Sequence, residues 1–173
     1  MLHRNHKHAR PGRSGGRVTL LVATLATLAL TTQAATAVSP HFIGDPTITK
    51  STTSGLTVTW KAAGLGNVVS GAFLTADSVT ATSECVNKGG NVAPGQPIVV
   101  QNVTGPTTNI PPSNGQITFT VTLPAPPTPD PDDVCPNGNW SVRLTSLTYT
   151  NVVLHIQQGG MDILTANLGT IDP

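Results

Sequence analysis

The residues with chemistry to offer in this chain are two cysteines, a few clustered carboxylates and a handful of histidines. Cys85 and Cys135 are the only cysteines. In an exported chain, two thiols in an oxidising compartment are expected to form a disulfide. Closing a loop of about 50 residues would stabilise the fold by roughly 4 kcal/mol, through restriction of the unfolded chain. Such a bridge ties the 86–97 segment, with Lys88, Gly89, Gly90 and Asn91, to the 124–139 segment, with Asp130, Asp132, Asp133 and Asn137. Two long irregular segments are then anchored at one place. Loops fixed on a rigid scaffold are where binding sites sit, so these eight residues form the candidate contact surface. The plainer account is that the bridge braces two loose connections.

Catalytic chemistry finds less support. A hydrolytic triad needs a nucleophile, a base and an orienting acid, and beyond the first forty residues the only histidines are His41 and His155. No G-x-S-x-G is present beyond the first forty residues either. His155 sits in a long β-like run and is read as a half-exposed strand residue. Asp77 and Glu84 could in principle flank a sugar, as paired carboxylates do in glycosidases, but nothing in their spacing places them across a cleft. Asp130, Asp132 and Asp133, with Asn137 and Asn139 nearby, offer hard oxygens suited to calcium. Their spacing lacks the glycine and closing glutamate of an EF-hand loop, so a solvated proline-rich loop is the favoured account. Zinc would need several nitrogen or thiolate ligands, and two separated histidines do not supply them. Gly64-Leu65-Gly66 and Gly71 mimic a phosphate-binding loop, yet they join two strands and open no helix. No metal and no cofactor is expected. Sugar platforms would have to come from Trp60, Trp140, Tyr149 or the three phenylalanines, and with so few aromatics most are needed in the core. The sequons at Asn102 and Asn139 matter only in a glycosylating host.

The elements that position these residues begin after a leader. Residues 1–17 carry Arg4, Lys7, Arg10, Arg13 and Arg17 and no acid, and the apolar run Val18–Leu30 follows. Thirteen residues are too short for a span, which takes about 20. Ala35-Thr36-Ala37 supplies a small-x-small cleavage pattern, so 1–37 is expected to be a cleaved signal peptide. His3, His6 and His8 leave with it. The remaining cations are Lys50, Lys61, Lys88 and Arg143, and four cations against eight acids give the mature chain about −4. A sparsely charged, mildly acidic domain has no basic stripe for phosphates, which argues against nucleic acid. The expected location is extracellular or at the cell wall, with no membrane span in the mature form.

The roughly 136 residues after the leader suit one domain with a real core. Threonine, valine, glycine and proline dominate, which favours short strands and turns over helices. Residues 38–46 are expected to be a flexible terminus, and 47–173 one domain. Strands are predicted at 47–51, 55–60, 68–77, 79–85, 98–104, 116–123, 142–156 and 161–168, with Leu56, Val58 and Trp60 on one face. About seven or eight strands separated by turns predict an all-β fold, an antiparallel two-sheet sandwich of immunoglobulin-like type, with a β-barrel as the alternative. The apolar phase of the longest strand slips twice. Val142 and Leu144 share one face, Leu147 and Tyr149 the other, and Val152, Leu154 and Ile156 return to the first. Bulges near Thr145 and Asn151 would reset the phase each time.

Three segments carry a resemblance: GLTVTWKAAGLGN at 55–67, TADSVTATSECVNKGGN at 75–91 and SLTYTNVVLHI at 146–156. In this order, behind a secretion leader, they resemble a family of small exported proteins of Streptomyces and related actinobacteria that has no established activity. The resemblance covers most of the chain after the leader. It implies an exported two-cysteine β domain and supplies no catalytic residue. The functional expectation is therefore a non-enzymatic binding or structural domain, with a protein or cell-wall partner. The alternatives are a small carboxylate-dependent hydrolase or lyase, and a secreted protease inhibitor.

Overall fold

Alternating apolar residues separated by turns form nine strands in the computed structural model, which describes residues 39–172. The proposed leader lies outside the described residues. The strands are β1 His41–Ser51, β2 Gly55–Ala63, β3 Ser70–Asn87, β4 Val92–Pro94, β5 Ile98–Thr104, β6 Thr108–Ile110, β7 Ile117–Leu123, β8 Trp140–Gln158 and β9 Met161–Ile171. One short helix, α1, covers Pro131–Val134. Every strand pairing is antiparallel.

The strands form two open sheets rather than a closed barrel. One has the order β1-β2-β7; the other runs β4-β3-β8-β9, with β5 and β6 also paired to β3. The short strands β6, β5 and β4 take successive stretches of one edge of β3, while β8 takes the whole of the other. Between the sheets, Leu56, Val58, Phe119, Val121 and Leu123 meet Leu74, Val79, Tyr149, Val152, Leu154 and Ile156 in one core.

The elements depart from the sequence-based boundaries in several places. Strand β1 begins at His41, inside the segment expected to be flexible. Gly44, at φ 66, and Pro46 interrupt its ladder with β2, yet pairing continues on both sides of them. Trp60 holds the early part down: it stacks on Phe42 at 4.2 Å and its indole N–H donates to the Gly44 carbonyl at 2.9 Å. It is half-buried, unlike Leu56 and Val58. Within the expected loops, β4 occupies part of 86–97, β6 part of 105–115 and α1 part of 124–139. Finally, 68–77 and 79–85 are one strand.

That merger comes from a crease that crosses the larger sheet. On β3 the buried positions are Ala72, Leu74 and Ala76, then Val79 and Ala81, so the phase flips at Asp77. Asn102 of β5 and Asn151 of β8 lie opposite Asp77, in the gap that interrupts both ladders. Both asparagines have positive φ, 54 and 52, and Gly169 of β9 has φ 73 next to the same row. On β9 the inward residues likewise switch, from Leu164, Ala166 and Leu168 to Ile171. Four neighbouring strands therefore change phase together, and β3 keeps its register with both neighbours. The Asn151 amide donates to Asp77 at 2.6 Å across the crease. Asparagine and glycine are the residues that tolerate this backbone region. The second slip is a bulge at Thr145: Thr82 faces Ser146 while Ser83 faces Leu144.

Candidate functional site

The end of the sandwich where β3 finishes and β8 starts is built around the disulfide. Cys85 is fully buried and bonded to Cys135. The 86–97 and 124–139 segments also touch directly, through a hydrogen bond from the Gln96 amide to the Val134 carbonyl at 3.2 Å. The β3–β4 turn is organised by Asn87 rather than by Lys88. Its side-chain oxygen accepts from the Gly89 and Asn91 amides, both at 2.9 Å. Gly90 has φ 79, which suits glycine, and Lys88 stands exposed at the tip.

The acidic segment is also structured by its own side chains. Asp130 caps α1 by accepting from the Asp132 amide at 3.0 Å, and Pro131 opens the helix, the arrangement expected at a helix start. Asn137 accepts from the Asn139 amide at 3.1 Å. Asp130 and Asn137 thus hold local backbone, whereas Asp132 and Asp133 remain exposed. Among the described residues, no group of three or more His, Cys, Asp or Glu could hold a metal ion. The disulfide brings both loops to one end, but no ion pair joins Lys88 to the aspartates among the described residues.

A groove of about 650 Å³ opens beside this bridge. It is bounded by Thr52 and Thr53 of the β1–β2 turn, by the Ala125–Thr128 stretch and by Val142, Arg143 and Leu144 of β8. A smaller hollow of about 230 Å³, lined by Lys50–Thr52 and Thr145–Leu147, shares Thr52 with it. The bulge at Thr145 lies where the two meet. At the bulge, the Thr82 hydroxyl lies 2.9 Å from that of Thr145 and 2.6 Å from that of Ser146. Two guanidinium nitrogens of Arg143 converge on one carboxylate oxygen of Glu84. With Arg143 67% exposed, such a pair contributes at most about 1 kcal/mol. No carboxylate lines either hollow. Asp77 is engaged with Asn151 and Glu84 with Arg143, so the two acids considered for sugar cleavage do not share a concavity.

On the outward face of the larger sheet, three side chains meet in a line. The Asp162 carboxylate lies 2.9 Å from Nδ1 of His155, and Nε2 of His155 lies 3.0 Å from the Thr75 hydroxyl. Phe73 stacks on the imidazole, with centroids 4.7 Å apart and planes 7° from parallel. Partial burial acts to raise the Asp162 pKa. Hydrogen bonds from His155 and Gln157, with the nearby imidazole, outweigh it and hold the carboxyl below its ordinary value. Here His155 has partners that its place in the sequence does not reveal. Thr75 is 80 residues away. Asp162 is reached through the tight turn at Gly159-Gly160, which sets Gln157 opposite Asp162. The legible signal was His155 lying between the apolar residues Leu154 and Ile156, which points it outward.

No family model matches the chain, and comparison with curated proteins and with solved structures returns no match.

Proposed function

We propose that this chain is an exported binding domain, extracellular or held at the cell wall, whose contact surface, the disulfide-braced end of the sandwich, is non-catalytic. The observation that carries the reading is the groove beside Cys85–Cys135, walled by chain that the bridge holds in place. Fixing loops before contact lowers the ordering cost of association. Threonine hydroxyls, proline faces and Arg143 line the groove and Lys50 lines the adjoining hollow, a neutral to weakly basic surface. It suits an extended polypeptide or a cell-wall polymer better than a basic partner.

Location is supported by the leader-like first 37 residues and by the disulfide, a bond that persists in oxidising compartments. Among the described residues no helix is long and apolar enough to cross a membrane. The resemblance to small exported actinobacterial proteins agrees with both. Strand order supports an immunoglobulin-like type: β1-β2-β7 facing β3-β8-β9 parallels A-B-E facing C-F-G, with β4 in the position beyond C. Two features depart from antibody domains. The bridge joins β3 to the chain before β8 instead of crossing between sheets, and Trp60 lies on β2.

The test is capture from culture supernatant and cell-wall fractions with the tagged protein and two variants. Thr53→Arg combined with Thr128→Arg fills the groove, while Lys61→Glu alters the hollow at the opposite end. The reading expects a partner retained by wild type and Lys61→Glu and lost by the double variant. Equal capture by all three would remove the site.

A further inference from the structure

The line of Asp162, His155 and Thr75 has the connectivity of a base-activated nucleophile, in a place unrelated to the groove. An ionised carboxylate can only accept hydrogen bonds. Facing Asp162 at 2.9 Å, the neutral imidazole of His155 takes the tautomer with its proton on Nδ1. In that tautomer Nε2 carries the lone pair, and the contact at 3.0 Å is the Thr75 hydroxyl donating to it. Both distances fall in the range of about 2.6–3.2 Å expected of a nucleophile, its base and an orienting group. Phe73, stacked at 4.7 Å, restrains rotation of the ring. The imidazole side chain is 19% exposed and that of Asp162 38%, so the line is open to small molecules at the surface.

We infer that Thr75 is an acyl-accepting nucleophile, with His155 as its base and Asp162 as the positioning residue. In the step, Thr75 Oγ attacks the carbonyl carbon of an ester while its proton passes to Nε2. A bond from Thr75 oxygen to the acyl carbon forms and the ester carbon–oxygen bond breaks. The proton moves on to the departing oxygen, which leaves as an alcohol. Water then regenerates the hydroxyl by the same route, with Nε2 taking its proton and the carboxylic acid leaving. None of the four described hollows is lined by these residues, so the site lies on an open sheet face. The substrate class is accordingly a small, activated acyl ester rather than a large molecule gripped in a pocket.

The probe is 4-nitrophenyl acetate, with release of nitrophenolate followed by absorbance and the adduct located by peptide mass spectrometry. Wild type is expected to gain one acetyl group on Thr75. Thr75→Ala should lose that adduct, and Thr75→Ser, which keeps the hydroxyl, should retain it. Removing the base with His155→Gln should slow acylation by at least roughly a hundredfold. Asp162→Asn separates positioning from structure. The amide can hydrogen-bond to Nδ1 by donating as well as by accepting, which admits the tautomer with its proton on Nε2 and should lower acylation with little change in thermal midpoint. Wild-type protein acetylated at lysines and not at Thr75 would overturn the inference. So would His155→Gln acylating Thr75 at the wild-type rate with an unchanged thermal midpoint.

Discussion

The Tyr149 ring is enclosed between the two sheets, and its hydroxyl donates to the Leu123 carbonyl at 3.4 Å. Burial pushes the phenol above its ordinary value of 10.0, and a hydrogen bond with the Leu56 backbone draws it part of the way back. A folded-state value above the unfolded one means that the folded protein holds this proton more tightly. The resulting stability is present in full below pH 10 and disappears as the pH rises through the folded value. Tyr149→Phe should therefore cost about 1 kcal/mol at neutral pH, the worth of one hydrogen bond. It should also lose less stability than wild type in alkali, which thermal midpoints between about pH 8 and 11 would register. Asp162 acts in the opposite sense. Its lowered carboxyl contributes above the ordinary carboxylate range, and that contribution fades as the pH falls through its folded value. The burial of Tyr149 was legible because it falls in phase with Leu147. The identity of its partners was not, since Leu123 belongs to the opposite sheet.

At the scale of elements, the crease through Asp77, Asn102, Asn151 and Gly169 decides how long strands wrap a small core. Without it, β3 and β8 would present half of their apolar residues to water, because a strand alternates faces at every residue. The sequence disclosed the slips on β8, as a run of apolar residues too long to hide its change of parity. On β3 the same change reads as a break, because small residues such as Ala72, Ala76 and Ala81 mark the inward face weakly. That ambiguity split one strand into two. Loop segments likewise concealed β4 and β6, whose three residues apiece are too few for alternation to register. Asn151→Val should destabilise by roughly 1–2 kcal/mol for the left-handed backbone alone, beyond the lost contact to Asp77. Asn151→Gly keeps the backbone and loses only that contact, so chemical denaturation should rank glycine above valine. The reverse order would mean that the crease does not depend on the positive φ of Asn151.

Over the whole molecule, the disulfide is the feature that sequence and structure share most directly. Two cysteines in a chain with an export-like leader specified it, and 50 residues separate them. Replacing both, as Cys85→Ala with Cys135→Ala, should lower stability by about 4 kcal/mol on the loop-entropy account. Comparing urea midpoints of this variant and wild type provides the check. Fold class was legible because alternation and turns recur throughout the chain. The groove was not, since it depends on Thr52, Pro127 and Arg143 arriving from three distant segments, and no local pattern encodes their meeting. The eight loop residues singled out in the sequence do gather at the braced end, but Asp130 and Asn137 serve the local backbone. In the proposed function the surface offered to a partner passes instead to the threonines, the prolines and Arg143 of the groove.

Hydrogen exchange on the captured complex locates the contact surface along the chain. Binding at the braced end should slow exchange at Thr52–Thr53, at Ala125–Thr128 and along 86–97, and leave the hollow around Lys61 and Asn114 unchanged. Protection confined to that opposite end, or to the outer face of β1, β2 and β7, would contradict it.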